Sequence, residues 1–232
     1  MLLKREHFSG RQLFSEFVGS AMLAGIVVGS GIMAQTLSPT DVGLQLLENA
    51  AATAAGLYAL ILIFGAVSGA HFNPIVSFID VFRGGASWQR GLSYLPAQVA
   101  GCIVGAMSAN SMFGQSLVSI STHHRVSGAH LFSEVLATAG LVLVIFSLSH
   151  NGHAAAIPAA VGCYIGAAYF ATSSTSFANP AIAVGRMFSN SFAGIAPTSV
   201  PAFIGAEIVG GALGLLLVTV LYPKDETQGA QR

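Results

Sequence analysis

Two related stretches decide the fold of this chain: SGAHFNPI at residues 68–75 and STSFANPA at residues 174–181. Each ends in an Asn-Pro dipeptide followed by one apolar residue, Asn73-Pro74-Ile75 in the first and Asn179-Pro180-Ala181 in the second. Asparagine is a favoured helix N-cap. Proline is tolerated at the first helical position because its missing N–H would have no intrahelical partner there. Each stretch is therefore predicted to start a helix.

The composition around these stretches is that of a membrane protein. Apolar residues make up 53% of the 232 residues and charged residues only 8%, with a mean hydropathy of +0.72. Soluble domains carry about 25% charged residues, which rules out that class. Nine basic and nine acidic residues balance to zero net charge, so nothing indicates binding to nucleic acid or to an acidic partner.

The hydropathy pattern predicts an all-α membrane protein with six transmembrane helices, near residues 12–34, 49–67, 93–112, 130–149, 154–172 and 201–222. Two shorter apolar runs, residues 73–82 and 179–188, follow the Asn-Pro motifs. Each is long enough for only about half of a roughly 30 Å hydrocarbon core, so both are predicted to be re-entrant half-helices. A helix that begins at membrane depth needs an approach buried in protein or lining a watery cavity. A pore is therefore the first hypothesis.

The two halves of the chain also repeat. Leu-Phe-Ser-Glu at residues 13–16 returns at residues 131–134, and the Asn-Pro motif returns with it; Pro96 and Pro201 are each predicted to open a span. Three spans per half turn the second copy upside down relative to the first, which predicts inverted repeats near residues 11–112 and 129–222 within a single channel domain, residues 1–232. Glycine pairs four residues apart, Gly101/Gly105 and Gly210/Gly214, are expected at helix–helix contacts.

Basic residues are unevenly distributed between the predicted loops. Seven fall on one side and two on the other: Lys4, Arg5, Arg11, Arg83, Arg90, Lys224 and Arg232 against Arg125 and Arg186. The positive-inside rule then predicts that both termini are cytoplasmic.

With six spans, an inverted repeat and two Asn-Pro half-helix starts, the chain resembles the major intrinsic proteins, the aquaporins and aquaglyceroporins, over about residues 11–222. The resemblance implies a passive channel, not an enzyme, that lies in the bacterial inner membrane as a homotetramer without cofactor or metal. It also implies that the two asparagines face a single file of solute. The loops before them would be braced by four further side chains: Glu16, Glu134, His71 and Gln98.

The resemblance assigns four positions to an outer selectivity filter by their offsets from the motifs: Thr53, Ala167, Ser176 and Ile182. Most of the family has arginine where this chain has Ile182. Without that charge and without a large side chain, the filter is expected to be wide and weakly polar. Around Thr53 and Ile182 the chain resembles bacterial arsenical channels of the AqpS type. The implied solutes are arsenous acid and methylated arsenicals, with water and glycerol.

Several alternatives stay open at this point. Arg186 either hydrogen-bonds outer loops or lends positive charge to the vestibule, and the role of Glu207 is undetermined. Ile75 replaces the usual alanine and is expected at the pore wall. A plain water or glycerol channel is the nearest rival function. An ion-coupled secondary transporter is a more distant one, since inverted repeats build those as well.

Overall fold

The computed structural model describes residues 9–223, which form six long helices and two short ones. They are α1 (Gly10–Leu37), α2 (Val42–Ser68), α3 (Pro74–Arg83), α4 (Trp88–Met112), α5 (Gly128–His150), α6 (Ile157–Ala171), α7 (Pro180–Arg186) and α8 (Val200–Leu221). Short 3-10 turns, Ala154–Ala156 and Pro197–Ser199, precede α6 and α8. Lys4, Arg5, Lys224 and Arg232, which entered the orientation count, lie outside the described residues.

The six predicted spans are confirmed, because six helical segments are long and apolar enough to cross a bilayer, α6 and α8 being counted with the 3-10 turns that precede them. Two begin earlier than predicted, since polar caps precede the apolar run. Asp41 Oδ1 accepts from the N–H of Leu44 at 2.9 Å, so α2 begins at Val42 instead of residue 49.

The other early start belongs to α4, which Ser87 caps by accepting from the N–H of Arg90 at 3.2 Å. Pro96 therefore lies inside α4, and the prediction that it opens the span is wrong. Pro201, its counterpart in the repeat, does lie in the first turn of α8.

In each half, one of the glycine pairs lies at the contact between the first and the last long helix. In α4, a Cβ on Gly105 would collide with the backbone of Ala21 in α1, and one on Gly101 would meet Ser20 at 3.0 Å. In α8, a Cβ on Gly214 would lie 2.7 Å from Val142 in α5. The predicted role of these glycines in helix packing is confirmed. The first and last long helices of each half thus pack against each other, and the short helices α3 and α7 both contact α4 and α8.

Candidate functional site

The site is built where α3 and α7 begin, because each starts at an asparagine that caps its own helix. Asn73 Oδ1 accepts from the N–H of Ile75 at 2.9 Å, and Asn179 Oδ1 accepts from Ala181 at 3.0 Å and Ile182 at 3.3 Å. Both prolines occupy the first helical turn, where the missing N–H removes no helical bond.

The same two amides tie the halves together across the centre of the protein. Asn73 Nδ2 donates to the carbonyl of Ala178 at 2.7 Å, and Asn179 Nδ2 donates to the carbonyl of Phe72 at 2.8 Å. Each amide nitrogen carries two hydrogens. One N–H of each asparagine is therefore used by the protein, which leaves the other without a partner in residues 9–223, and both side chains line one cavity.

The loops before the asparagines adopt a backbone that side chains rarely take. Phe72 and Ala178 both have φ of 49°, and Ala70 and Ser176 both have φ of 50°, at matching positions of the repeat. Left-handed non-glycine residues cost of order 1–3 kcal/mol each and persist only when their surroundings fix them. The two loops therefore need strong external partners.

Two buried carboxylates are those partners. Glu16 accepts from the backbone N–H groups of His71 at 3.0 Å and Phe72 at 2.7 Å. Glu134 accepts from Phe177 at 2.9 Å and Ala178 at 2.8 Å. Because hydrogen bonds to a charged acceptor are about twice as strong as neutral ones, these contacts fix both loops.

The halves differ in the second side chain that supports each loop. Gln98 Nε2 donates to Glu16 at 2.8 Å and to Ser77 Oγ at 3.0 Å. In the other half, Glu207 accepts from the backbone N–H of Asn179 at 3.0 Å. The sequence leaves the role of Glu207 open because this residue has no equivalent in the repeat; in the structure its contact with Asn179 places it behind the second loop.

One cavity of about 220 Å³ passes the two asparagines. It extends from Asp80 and Ser149, at the ends of α3 and α5, to Arg186 at the end of α7. Its middle section is mostly apolar, with walls that include Leu57, Ile61, Val76, Leu141, Val161 and Ile165. An apolar tube with a few amide donors suits small uncharged solutes, because they lose far less hydration free energy than ions do on entering it.

His71 lies in the half of this cavity that ends at Asp80. Its Nδ1 lies 3.1 Å from Ser77 Oγ, and its Nε2 lies 3.7 Å from a carboxylate oxygen of Asp80. The ring also packs edge-on against Tyr94. His71 therefore braces the first loop while it forms part of the cavity wall.

The opposite half of the cavity is lined by side chains from α2, α6, α7 and the loop before α7. Thr53, Ser176 and Ile182 line it, whereas Ala167 does not. Ala167 lies on the exposed outer face of α6, so its prediction as a filter residue is wrong. Tyr169, two residues further and about 200° around the helix, lines the cavity instead. The expectation that the filter has no large side chain is wrong for the same reason.

Arg186, the last residue of α7, lies at this end of the cavity. It is 2% exposed, its Nε donates to the carbonyl of Ala193, and its guanidinium carbon lies 3.5 Å from the centroid of the Phe177 ring. Within residues 9–223, its two terminal nitrogens have no hydrogen-bond partner, and the side chain lines the cavity. A positive charge therefore stands at the cavity wall one helical turn beyond Ile182.

Known proteins with this arrangement are numerous. The sequence profile of the family described as Major intrinsic protein matches residues 3–188 of the chain. The chain belongs to this family. Members of the family are channels and not enzymes, so the chain is an integral membrane channel.

Relatives within the family include aquaglyceroporins. "Aquaglyceroporin AqpS" of Rhizobium meliloti (strain 1021) is 43% identical over 208 residues, which cover 90% of this chain and 88% of the relative. The "Glycerol uptake facilitator protein" of Streptococcus pneumoniae (strain ATCC BAA-255 / R6) is 30% identical over 59% of this chain and 64% of the relative.

A solved structure supports the fold itself. The X-ray structure of the aquaglyceroporin from Plasmodium falciparum superposes with a TM-score of 0.72, covering 92% of this chain and 97% of its own, at 20% sequence identity. The family's architecture of six spans and two half-helices is thus confirmed for this chain.

Proposed function

We propose that this channel conducts small uncharged solutes passively and that arsenous acid and methylated arsenicals are among them, together with water and glycerol. The observation that carries the proposal is Ile182 at the outer constriction, where the family usually has arginine. Ile182 is 4% exposed and lies in the same cavity as the hydroxyl groups of Thr53 and Ser176. A constriction with hydroxyl groups and an apolar wall fits a neutral solute that carries several hydroxyls.

The remaining site assignments belong to the same proposal. The Asn-Pro motifs form the centre of the path, Glu16, Glu134, His71 and Gln98 brace its loops, and Thr53, Ser176 and Ile182 form the outer filter. Arg186 supplies the charge of the outer vestibule. Support comes from their common position along one cavity or directly behind its loops.

The test compares water, glycerol and arsenite in proteoliposomes by stopped-flow light scattering. We expect all three fluxes to exceed those of protein-free liposomes and to be independent of proton and sodium gradients. If water and glycerol permeate but arsenite does not, the protein is a plain water or glycerol channel. Flux that follows an ion gradient would indicate a secondary transporter.

We further propose that both termini face the cytoplasm of a bacterium and that the protein lies in the inner membrane. The excess of Lys and Arg on one side of the spans supports this orientation. A reporter that is active only in the cytoplasm, fused to the C-terminus, would be active in the expected orientation. An inactive fusion of equal abundance would contradict it.

The same proposal includes a homotetramer with one path per subunit, in which residues 1–232 form a single channel domain. Along α2, Ala51, Ala55 and Ala59 form an exposed stripe of small residues, which allows membrane helices to approach closely. Light scattering of the detergent-solubilised protein is expected to give four times the mass of one chain. A mass of one chain would contradict this assembly.

A further inference from the structure

Two hydroxyl groups from different helices meet in the half of the cavity that Ile182 and Arg186 line. Thr53 Oγ1 of α2 and the Tyr169 hydroxyl of α6 lie 3.2 Å apart. Both side chains are almost fully buried, at 2% and 3% exposure, and both line the cavity. The sequence offsets predict Ala167 at the position on α6 that Tyr169 occupies in the structure, so this pair differs from the predicted filter.

The pair retains hydrogen-bonding capacity toward the cavity. A threonine hydroxyl has one donor and two acceptor sites, and a phenol has one donor and an acceptor oxygen. The contact between them uses one hydrogen and one lone pair, so one O–H and several lone pairs remain. Ser176 Oγ adds another hydroxyl, which is buried at the cavity wall without a partner in residues 9–223.

We infer that Tyr169 is a specificity-determining residue of this channel, and that its hydroxyl, together with Thr53, hydrogen-bonds the hydroxyl groups of the solute in transit. The inference rests on the proposed function, since it presumes passage of neutral hydroxylated solutes. It narrows the solute class to molecules with several hydroxyls on a small frame. A solute with several hydroxyls loses hydrogen bonds to water when it enters this part of the cavity and forms new ones with the hydroxyl groups of the wall. A solute with one hydroxyl fewer leaves one wall hydroxyl without a partner.

Glycerol and 1,2-propanediol test this directly, because they share a three-carbon frame and differ by one hydroxyl. Tyr169→Phe retains the ring and removes only the phenolic oxygen. A hydrogen bond lost from the path is worth about a threefold to tenfold change in rate. We therefore expect the ratio of glycerol to 1,2-propanediol permeability, corrected for protein-free liposomes, to fall about threefold or more. Thr53→Val is expected to shift the ratio in the same direction.

Tyr164→Phe is the matched control. Tyr164 lies on the same helix, but its hydroxyl donates to the carbonyl of Ala137 at 3.0 Å, and it does not line the cavity. Its removal is expected to leave the ratio unchanged. Thermal unfolding of all three variants in detergent reports whether each retains the fold.

The outcomes separate the two proposals. If the parent conducts glycerol but Tyr169→Phe changes both permeabilities by the same factor, Tyr169 is only a packing residue and the inference is overturned. An equal fall of the ratio in Tyr164→Phe would overturn it as well. If the permeability of the parent proteoliposomes to both solutes equals that of protein-free liposomes, the proposed function is wrong, and so is this inference.

Discussion

Ile75 of α3 packs into the space left by Gly211 of α8, where a Cβ on the glycine would lie 2.7 Å from Ile75 Cγ2. Ile75 is 8% exposed and does not line the cavity, although the sequence placed it at the pore wall. The side chain points away from the solute path and fixes the half-helix against a long helix. The expectation that it contributes to the wall is therefore wrong.

Ile75→Ala is predicted to destabilise the protein without altering its selectivity. Removing a buried isoleucine from a packed site costs about 2–5 kcal/mol, part of it for the cavity left behind. Thermal unfolding in detergent should show a lower midpoint, while the permeability per inserted protein stays equal to that of the parent. A changed ratio of glycerol to water permeability would mean that Ile75 does act at the path.

The sequence predicted those features that depend on local chemistry. Asn-Pro caps, long apolar spans and four-residue glycine spacing each determine structure within a few residues. The predicted filter position on α6 is wrong because its offset from Asn179 spans the loop of residues 172–178. No spacing rule predicts the path of such a loop. An error of two residues rotates a helical side chain by about 200°, and this exchanged Tyr169 for Ala167.

Contacts between separate segments could be predicted only in part. The sequence left two roles open for Arg186, a hydrogen bond to the outer loops and a charge at the vestibule, and in the structure its Nε donates to the carbonyl of Ala193 while the side chain lines the cavity. Its stacking on Phe177 was not predicted, because it depends on the path of the loop before α7. The Gly211 position opposite Ile75 could not be foreseen either, since 136 residues separate the two.

Glu134→Gln is predicted to weaken the second motif loop. Each Glu134 oxygen accepts one backbone N–H, so the new amide NH2 must face either Phe177 or Ala178 with two donors. An unpaired buried N–H costs about 1–3 kcal/mol. We expect a lower unfolding midpoint and a proportional loss of water and glycerol flux, because the loop carries Asn179 as well as Ser176.

Glu48→Gln is the control for that change. Glu48 Oε1 accepts from the Ser38 hydroxyl at 2.8 Å, Oε2 is buried without a partner within residues 9–223, and the side chain does not line the cavity. The new NH2 is unpaired there as well, so the unfolding midpoint is expected to fall, while the water and glycerol fluxes per inserted protein should match those of the parent. A Glu134→Gln protein as active as Glu48→Gln would contradict the bracing role.

Arg186→Gln is predicted to raise cation leak through the channel. In the parent, the positive ends of α3 and α7 and the Arg186 guanidinium all repel cations along one path, so little proton flux is expected. Removing a unit charge at a partly dehydrated wall changes the barrier by about 1–2 kcal/mol, or roughly tenfold in rate. A pH-sensitive dye inside proteoliposomes measures this leak.

Arg186→Lys distinguishes charge from geometry. It retains the positive charge but loses the planar group that stacks on Phe177 at 3.5 Å. If the charge is decisive, the proton leak of the lysine variant should stay close to that of the parent. Unchanged leak and selectivity in Arg186→Gln would show that the arginine only ties the outer loops together.

Ile182→Arg is predicted to reduce glycerol and arsenite permeability more than water permeability. The substitution adds a long, permanently charged side chain with five donors to a constriction that already holds Tyr169 and Arg186. Water needs less width than either larger solute and can hydrogen-bond the guanidinium as it passes. We expect at least a tenfold loss of glycerol flux, the order of magnitude for a barrier raised by about 1.4 kcal/mol, measured by stopped flow with insertion equalised.

Ile182→Leu provides the control, since it retains an apolar side chain of equal volume and should cost little in packing. Its solute preference should follow that of the parent. Equal proportional loss of water and arsenite in Ile182→Arg, or no loss, would show that Ile182 does not set the size limit. Tyr169 would then be the residue that limits the size of the solute. The main reason to prefer an arsenical channel over a plain water channel would also be removed.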